Sequence, residues 1–291
     1  MKQWGTIGLC GIMLIGLHNL AAKHAHLLTS IRIARETGYA GIEIGGDKLK
    51  RYLAQGFPID SLRPLLKDIP PIGLSYVQDI ERQEPKEYKA LLGECETTCT
   101  LAEQLGCPMV QLLTGPLDPT GPYQGLGDRP WPEMRRLTAK NLRALAEIGK
   151  AHGVRFYLEA LTFTPLNRLE QQLELLAETA RDNVGLVLDF YHLWDSGTRP
   201  EEIARVNKEL IFCVDFCDSS DGFGEGGDPQ QRGRDVWTGG GRIPLKEWVD
   251  AVKATGFDGV WRCELLSPKY WELDPWQTAR DLKSMLEYLL A

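Results

Sequence analysis
Phe156-Tyr-Leu-Glu-Ala160 and its later counterpart Trp261-Arg-Cys-Glu-Leu265 each read as a short apolar strand ending in a glutamate, Glu159 and Glu264. Val184-Gly-Leu-Val-Leu-Asp189 and Ile211-Phe-Cys-Val-Asp215 lie between them and end the same way, in Asp189 and Asp215. Continuous apolar runs of this kind mark strands buried on both faces, as in a parallel sheet. A carboxylate at such a strand end is costly to desolvate, and four brought together raise one another's pKa unless something positive sits among them. The pattern points to a site, and a divalent cation is the economical compensating charge.

Working outward, the rest of the chain alternates in the same way. Strands are expected at residues 6–12, 40–44, 72–78, 109–113, 154–160, 184–190, 211–216 and 259–265. Helical spacing fills the gaps at about 20–37, 59–68, 86–105, 132–152, 169–181, 200–208 and 244–255, with a closing helix at 275–290. Gly38, Gly106 and Gly256 stand where helix C-caps are needed. Two long Gly- and Pro-rich loops, 114–131 and 217–241, follow the fourth and seventh strands, and the first is a candidate lid. Eight strands alternating with eight helical segments, without a solenoid repeat or a linker, predict an α/β fold: one (β/α)8 TIM barrel, a single domain over 1–291. The rival, an open doubly wound sheet, calls for a phosphate-binding glycine turn after its first strand, and Gly11-Ile-Met-Leu-Ile-Gly16 is not one. In a barrel the site lies at the C-terminal strand ends, where all four acids fall. Alternation along a strand puts Tyr157 with Glu159, Cys213 with Asp215 and Cys217, and Arg262 with Glu264.

With 291 residues, 43% of them hydrophobic, the chain is long enough for one such barrel. Its net charge of −7 argues against a nucleic-acid partner and for a small-molecule substrate. Seven scattered cysteines without metal-finger spacing read as reduced thiols, hence a cytoplasmic location. No segment reaches the ~20 uninterrupted apolar residues of a membrane span. The apolar run 7–17 after Lys2 is not read as a signal peptide, because its removal would delete the expected first strand, and Gly5, Gly8, Gly11 and Gly16 make a poor membrane helix.

With these positions in place, the chain resembles the xylose-isomerase-like sugar phosphate isomerase/epimerase superfamily over nearly its whole length. The resemblance rests on Gly38-Tyr-Ala-Gly-Ile-Glu-Ile44, Glu159, Asp189-Phe-Tyr-His192, Gly239-Gly-Gly-Arg-Ile-Pro244, Gly256-Phe-Asp-Gly259 and Glu264, in that order. It implies a metal set of Glu159, Asp189, Asp215 and Glu264, with a departure at the third position, where the family typically has His-x-His and this chain has Cys213-Val-Asp215. An all-carboxylate set favours Mn²⁺ or Mg²⁺ over Zn²⁺. The implied reaction is isomerisation or epimerisation of a keto-sugar, keto-inositol or related polyhydroxy carbonyl compound. The metal would hold two substrate oxygens, Glu159 and Glu264 would exchange the carbon-bound proton, and His192 would bind a hydroxyl. The alternatives are a lyase dehydrating an inosose or dehydroshikimate-like substrate, and a non-catalytic barrel that has lost its metal. An endonuclease of the same superfamily would need a histidine-rich zinc cluster, and the chain has five histidines in all.

Other residues carry two readings each. Glu43 is a substrate-binding candidate or half of a buried ion pair with an arginine. Gly239-Gly-Gly-Arg242 is a phosphate cradle or a plain turn, and Arg232, Arg234 and Arg242 keep anionic substrates open. Trp237, with Trp194, Trp261, Tyr270 and Trp271, stacks on a sugar ring or belongs to the core. His18 follows strand one within reach of the mouth, while His24 and His152 face solvent. Homo-oligomerisation is left open.

Overall fold
The computed structural model describes residues 13–222 and 232–291. Eight parallel strands close into a barrel in sequence order: β1 (Leu14–Leu17), β2 (Gly41–Ile44), β3 (Pro71–Val77), β4 (Met109–Leu112), β5 (Arg155–Leu158), β6 (Val184–Asp189), β7 (Ile211–Phe216) and β8 (Val260–Cys263). Closure comes from β1, which pairs with β2 on one side and β8 on the other. The outer ring contains α1 (Leu27–Glu36), α2 (Gly46–Ala54), α3 (Pro85–Leu105), α4 (Trp131–Ala151), α5 (Leu169–Thr179), the short α6 (Phe190–Asp195) and α7 (Pro200–Ile203), α8 (Leu245–Ala254), α9 (Pro268–Trp271) and α10 (Pro275–Leu290). Among the described residues, no helix is long and apolar enough to cross a membrane.

The alternation of side chains separates two cores. One face of the strands packs outward beneath the helices, where Phe190, Phe216, Trp248 and Trp261 form a chain of ring contacts. The other face fills the barrel floor with Met109, Tyr157, Val187, Phe212 and Cys213. Gly185 in β6 is required by this packing, because a Cβ there would meet the Phe212 ring at 2.6 Å and the Leu210 carbonyl at 2.7 Å.

Four sequence expectations change. The strand placed at 6–12 lies outside the described residues, and the barrel's first strand is Leu14–Leu17. The helix drawn over 20–37 is instead a 3-10 turn, Asn19–Ala22, followed by α1. His18 Nδ1 accepts the Leu20 N–H (3.1 Å), and Lys48 Nζ of α2 donates to the Ala22 carbonyl (2.7 Å), so these groups do not continue a helix. The second crossover is carried by α2, not by 59–68, where only a 3-10 turn, Ile59–Leu62, forms. After Pro200 the helix lasts one turn rather than reaching 208, and a 3-10 turn at Lys208–Leu210 leads into β7.

Candidate active site
Each acid arrives by a strand end. Glu159 follows β5, Asp189 ends β6 and caps α6 by accepting the His192 N–H (2.9 Å), and Glu264 follows β8. Cys217 follows β7, and its Sγ lies 3.0 Å from Asp189 Oδ2 and 3.1 Å from Glu264 Oε2. Potential ligand atoms lie within 4.8 Å of one another in each of two groups, Glu159, Asp189 and His192 in one, and Asp189, Cys217 and Glu264 in the other. Asp189 belongs to both, so it links Glu159 to Glu264. Glu159, His192 and Glu264, with Gln111, His18 and Glu43, line a cavity of about 710 Å³, and Asp189 and Cys217 are joined to it through their contacts with these side chains.

The electrostatics follow from burial. Desolvation pushes Glu159 well above the usual carboxylate range, reinforced by the charges of Asp189 and Glu264, while Gln111 Nε2 donates to its Oε2 (2.6 Å). Burial and the Glu264 charge push Asp189 up to about 7. Burial opposes ionisation of Glu264 too, but the Arg234 guanidinium, which donates to Glu264 Oε2, holds its carboxyl well below the usual range. His192 is lowered to about 3 by burial and by Arg234, so its ring is neutral. The Thr162 N–H donates to its Nδ1 (3.4 Å), which places the ring proton on Nε2. The donors suit a divalent ion: a thiol and three carboxylates whose mutual repulsion such a charge would relieve.

Of the residues expected from sequence, Glu159, Glu264, His192 and Glu43 line this cavity, and Asp189 groups with the first three. Asp215 is not brought into either ligand group. Arg262 donates to both its oxygens, Nε to Oδ1 at 2.7 Å and Nη2 to Oδ2 at 2.6 Å. With Asp215 engaged by Arg262, the all-carboxylate site, and with it the preference for Mn²⁺ or Mg²⁺ over Zn²⁺, is left without support. Glu43 fits both of its readings: it borders the cavity, pairs with Arg262 Nη1 (3.2 Å), and accepts from the Asn19 N–H (2.9 Å) with His18 Nε2 at 3.3 Å.

The glycine turn is organised by an acid rather than offered to a phosphate. Gly239 and Gly241 donate their N–H groups to Asp218 Oδ2, each at 2.9 Å, and Ile243 donates to Oδ1 at 3.2 Å. Arg242 follows this turn, its N–H bonded to the Ser219 carbonyl (2.6 Å), and Trp237 packs edge-on against Tyr270 at 5.1 Å. Among the described residues lining the cavity, neither Arg242 nor Trp237 appears; Trp194, Tyr270 and Trp271 are likewise absent, and Trp261 is core. Sequence reasoning missed Gln111, Phe163, which lines the cavity, and the role of Cys217, and it named Arg234 for anionic substrates, not as the partner of Glu264. Only Cys217 had a usable signal, its two-residue spacing from Asp215.

The loop expected to cover the site is tied down by acids after β3. Glu81 Oε1 accepts the Gly115 N–H (2.8 Å), Asp79 Oδ1 accepts the Leu117 N–H (3.2 Å), and Leu117 lines the cavity. Burial pushes Glu81 up to about 7, the Gly115 N–H opposing and the Asp79 charge adding to the rise. A carboxyl raised in the folded state contributes stability that is full below its ordinary value of 4.5 and is lost as pH rises through 7. Glu81→Gln should therefore flatten the pH dependence of urea unfolding, gaining on the order of 3 kcal/mol relative to the parent between pH 4 and 8. An unchanged pH profile would show that Glu81 titrates alike in both states.

Comparison with known proteins agrees with this architecture. The family model described as xylose isomerase-like TIM barrel matches residues 31–289. Inosose isomerase of Halalkalibacterium halodurans is 26% identical over 269 residues, covering 90% of both chains. A 3-dehydroshikimate dehydratase of Bacillus anthracis is 25% identical over 173 residues, 58% of each chain. Among solved structures, the IOLI protein with a binding zinc atom superposes with a TM-score of 0.86 at 24% identity, over 96% of this chain and 98% of that one. A family match from within α1 to residue 289, on a barrel whose acids meet at the C-terminal strand ends, leaves one assignment: the chain belongs to the xylose isomerase-like TIM barrel family.

Proposed function
We propose that this protein is a metal-assisted isomerase of keto-inositols, moving a proton between carbon atoms beside a carbonyl through an enediolate. At the coarser level it is an enzyme of the sugar isomerase/epimerase class, supported by relatives named inosose isomerase that align over about nine-tenths of their length. The observation that carries the finer reading is that Glu159 and Glu264 line one cavity and each groups with Asp189, with a neutral imidazole beside them.

A divalent cation held by Glu159, Asp189 and Glu264 would polarise the substrate carbonyl and acidify the neighbouring C–H. The protein groups do the rest. One of the two glutamates takes the carbon-bound proton and the other returns one to the enediolate, so the product keeps the composition of the substrate. His192, its proton on Nε2, donates to a substrate hydroxyl, and Gln111 holds Glu159 in place. The six described cysteines are free, which suits a reducing, cytoplasmic setting.

Incubating the enzyme with an inosose in D2O, with Mn²⁺, Co²⁺ or Zn²⁺ supplied, tests this reading. Deuterium at the carbon beside the carbonyl, in a product isomeric with the substrate, is the expected result. Loss of water would favour the dehydratase alternative, for which the partial match to 3-dehydroshikimate dehydratase speaks. Neither exchange nor product across a panel of inososes and ketoses would overturn both.

A further inference from the structure
Within the metal reading just given, on which this inference rests, the strand-seven ligand is the residue the fold reassigns. We propose that Cys217, and not Asp215, supplies it, so that the ion sits among Glu159, Asp189, Cys217 and Glu264 and is a borderline-soft ion such as Zn²⁺ or Co²⁺.

Asp215 is already committed. Both its oxygens accept from Arg262, the two side chains are 2% and 0% exposed, and a ligand role would strip a buried guanidinium of its main partner. Cys217 lies two residues further along the same face, at the level of the acids. Its Sγ stands 3.0 and 3.1 Å from an oxygen of Asp189 and of Glu264. A four-coordinate ion with bonds of about 2.0 Å to oxygen and 2.3 Å to sulfur holds its donors roughly 3.3–3.7 Å apart, so small adjustments suffice for Asp189, Cys217 and Glu264, while Glu159, grouped with Asp189 and not with the sulfur, must turn toward the ion.

The surroundings of this thiol also differ from those of its neighbours. A buried cysteine ordinarily packs as a small apolar group. Cys213 does so on the barrel floor with Met109, Tyr157 and Val187, although Arg262 Nη2 also reaches its sulfur at 3.5 Å. Cys217 instead has two carboxylates and Arg234 (3.5 Å) around its sulfur. Three carboxylates and a thiolate would carry four negative charges against two on the ion. Arg234, touching Glu264 and Cys217, supplies one more positive charge and accounts for a guanidinium beside a cation site. Sulfur among the donors shifts preference from hard ions toward Zn²⁺ and Co²⁺.

The test is optical and independent of turnover. Chelator-stripped protein is loaded with Co²⁺, and metal content and the near-ultraviolet absorption spectrum are recorded for the parent, Cys217→Ser and Cys213→Ser. A sulfur-to-cobalt charge-transfer band is expected in the parent and in Cys213→Ser. In Cys217→Ser it should vanish while cobalt still binds, roughly 10–100-fold more weakly or worse. Bound cobalt without the band in the parent, the band surviving in Cys217→Ser, or no cobalt bound at all would each overturn the assignment. Because the parent spectrum decides on its own, poor folding of a variant does not protect the proposal. Deuterium exchange with substrate alongside a failed cobalt test would leave the isomerase reading standing and remove only the sulfur ligand.

Discussion

Glu159→Gln is expected to lower the rate of isomerisation and of solvent deuterium exchange by about 10³-fold, the middle of the range for loss of a positioned acid or base. The substitution keeps the shape of the side chain and leaves an oxygen to accept from Gln111 Nε2, so the barrel should unfold at nearly its original temperature. Glu159 is also one of the proposed ligands, and the two roles are separable. If only proton transfer is lost, kcat falls while bound metal per chain and KM stay near the parent values; if the ligand role dominates, metal content falls with activity. Exchange that survives within about 10-fold of the parent would remove Glu159 from the proton-transfer step. Glu264→Gln differs in a diagnosable way, because it leaves Arg234 beside a neutral amide and so should also cost stability.

Arg262→Met carries the largest expected effect on stability. Arg262 is fully buried and answers two acids, Asp215 through both its oxygens and Glu43 at 3.2 Å, with the Tyr157 hydroxyl at 3.3 Å. Methionine fills most of the volume but leaves Asp215 in the barrel interior without its counter-charge. Removing one partner of a buried pair costs about 3–5 kcal/mol. The double variant Arg262→Met/Asp215→Leu should recover much of that loss, since replacing both members by apolar groups is often near neutral, and Glu43 keeps His18 and the Asn19 N–H. Urea unfolding of the parent, both single variants and the double gives the coupling between the two residues directly. A loss under about 1 kcal/mol for Arg262→Met would mean that the pair is solvated or that the acids take up protons at little cost. The double variant also bears on metal binding: it lacks the Asp215 carboxylate, yet should bind cobalt like the parent.

The register of the barrel explains why these two residues meet. Asp215 on β7 and Arg262 on β8 are direct neighbours across the strand pair, and Asp189 on β6 is the neighbour of Asp215 on its other side. Asp215 is thus flanked by one acid and one base at the same level, and the arginine takes it. Nothing in Ile211-Phe-Cys-Val-Asp215 announces this, because the deciding partner lies on another strand and its height depends on how the barrel closes. The glycine turn is a parallel case. Three consecutive glycines suggest an anion cradle, and the fold supplies the anion itself, as Asp218.

What the amino-acid order determined by itself was local: the period of the strands, the capping glycines, and an acid at the end of β5, of β6 and just past β8. From these follow the closed eight-stranded barrel and a mouth where Glu159, Asp189, His192 and Glu264 gather, since a barrel carries every strand's C-terminal end to the same side. The tertiary structure alone decided which charges cancel: Arg262 against Asp215, Arg234 against Glu264, and Cys217 left facing the carboxylates. The physical reason is that strand and helix periods act over a few residues along the chain. The pairing of buried charges acts over a few ångströms across it, between groups whose proximity exists only once the barrel has closed.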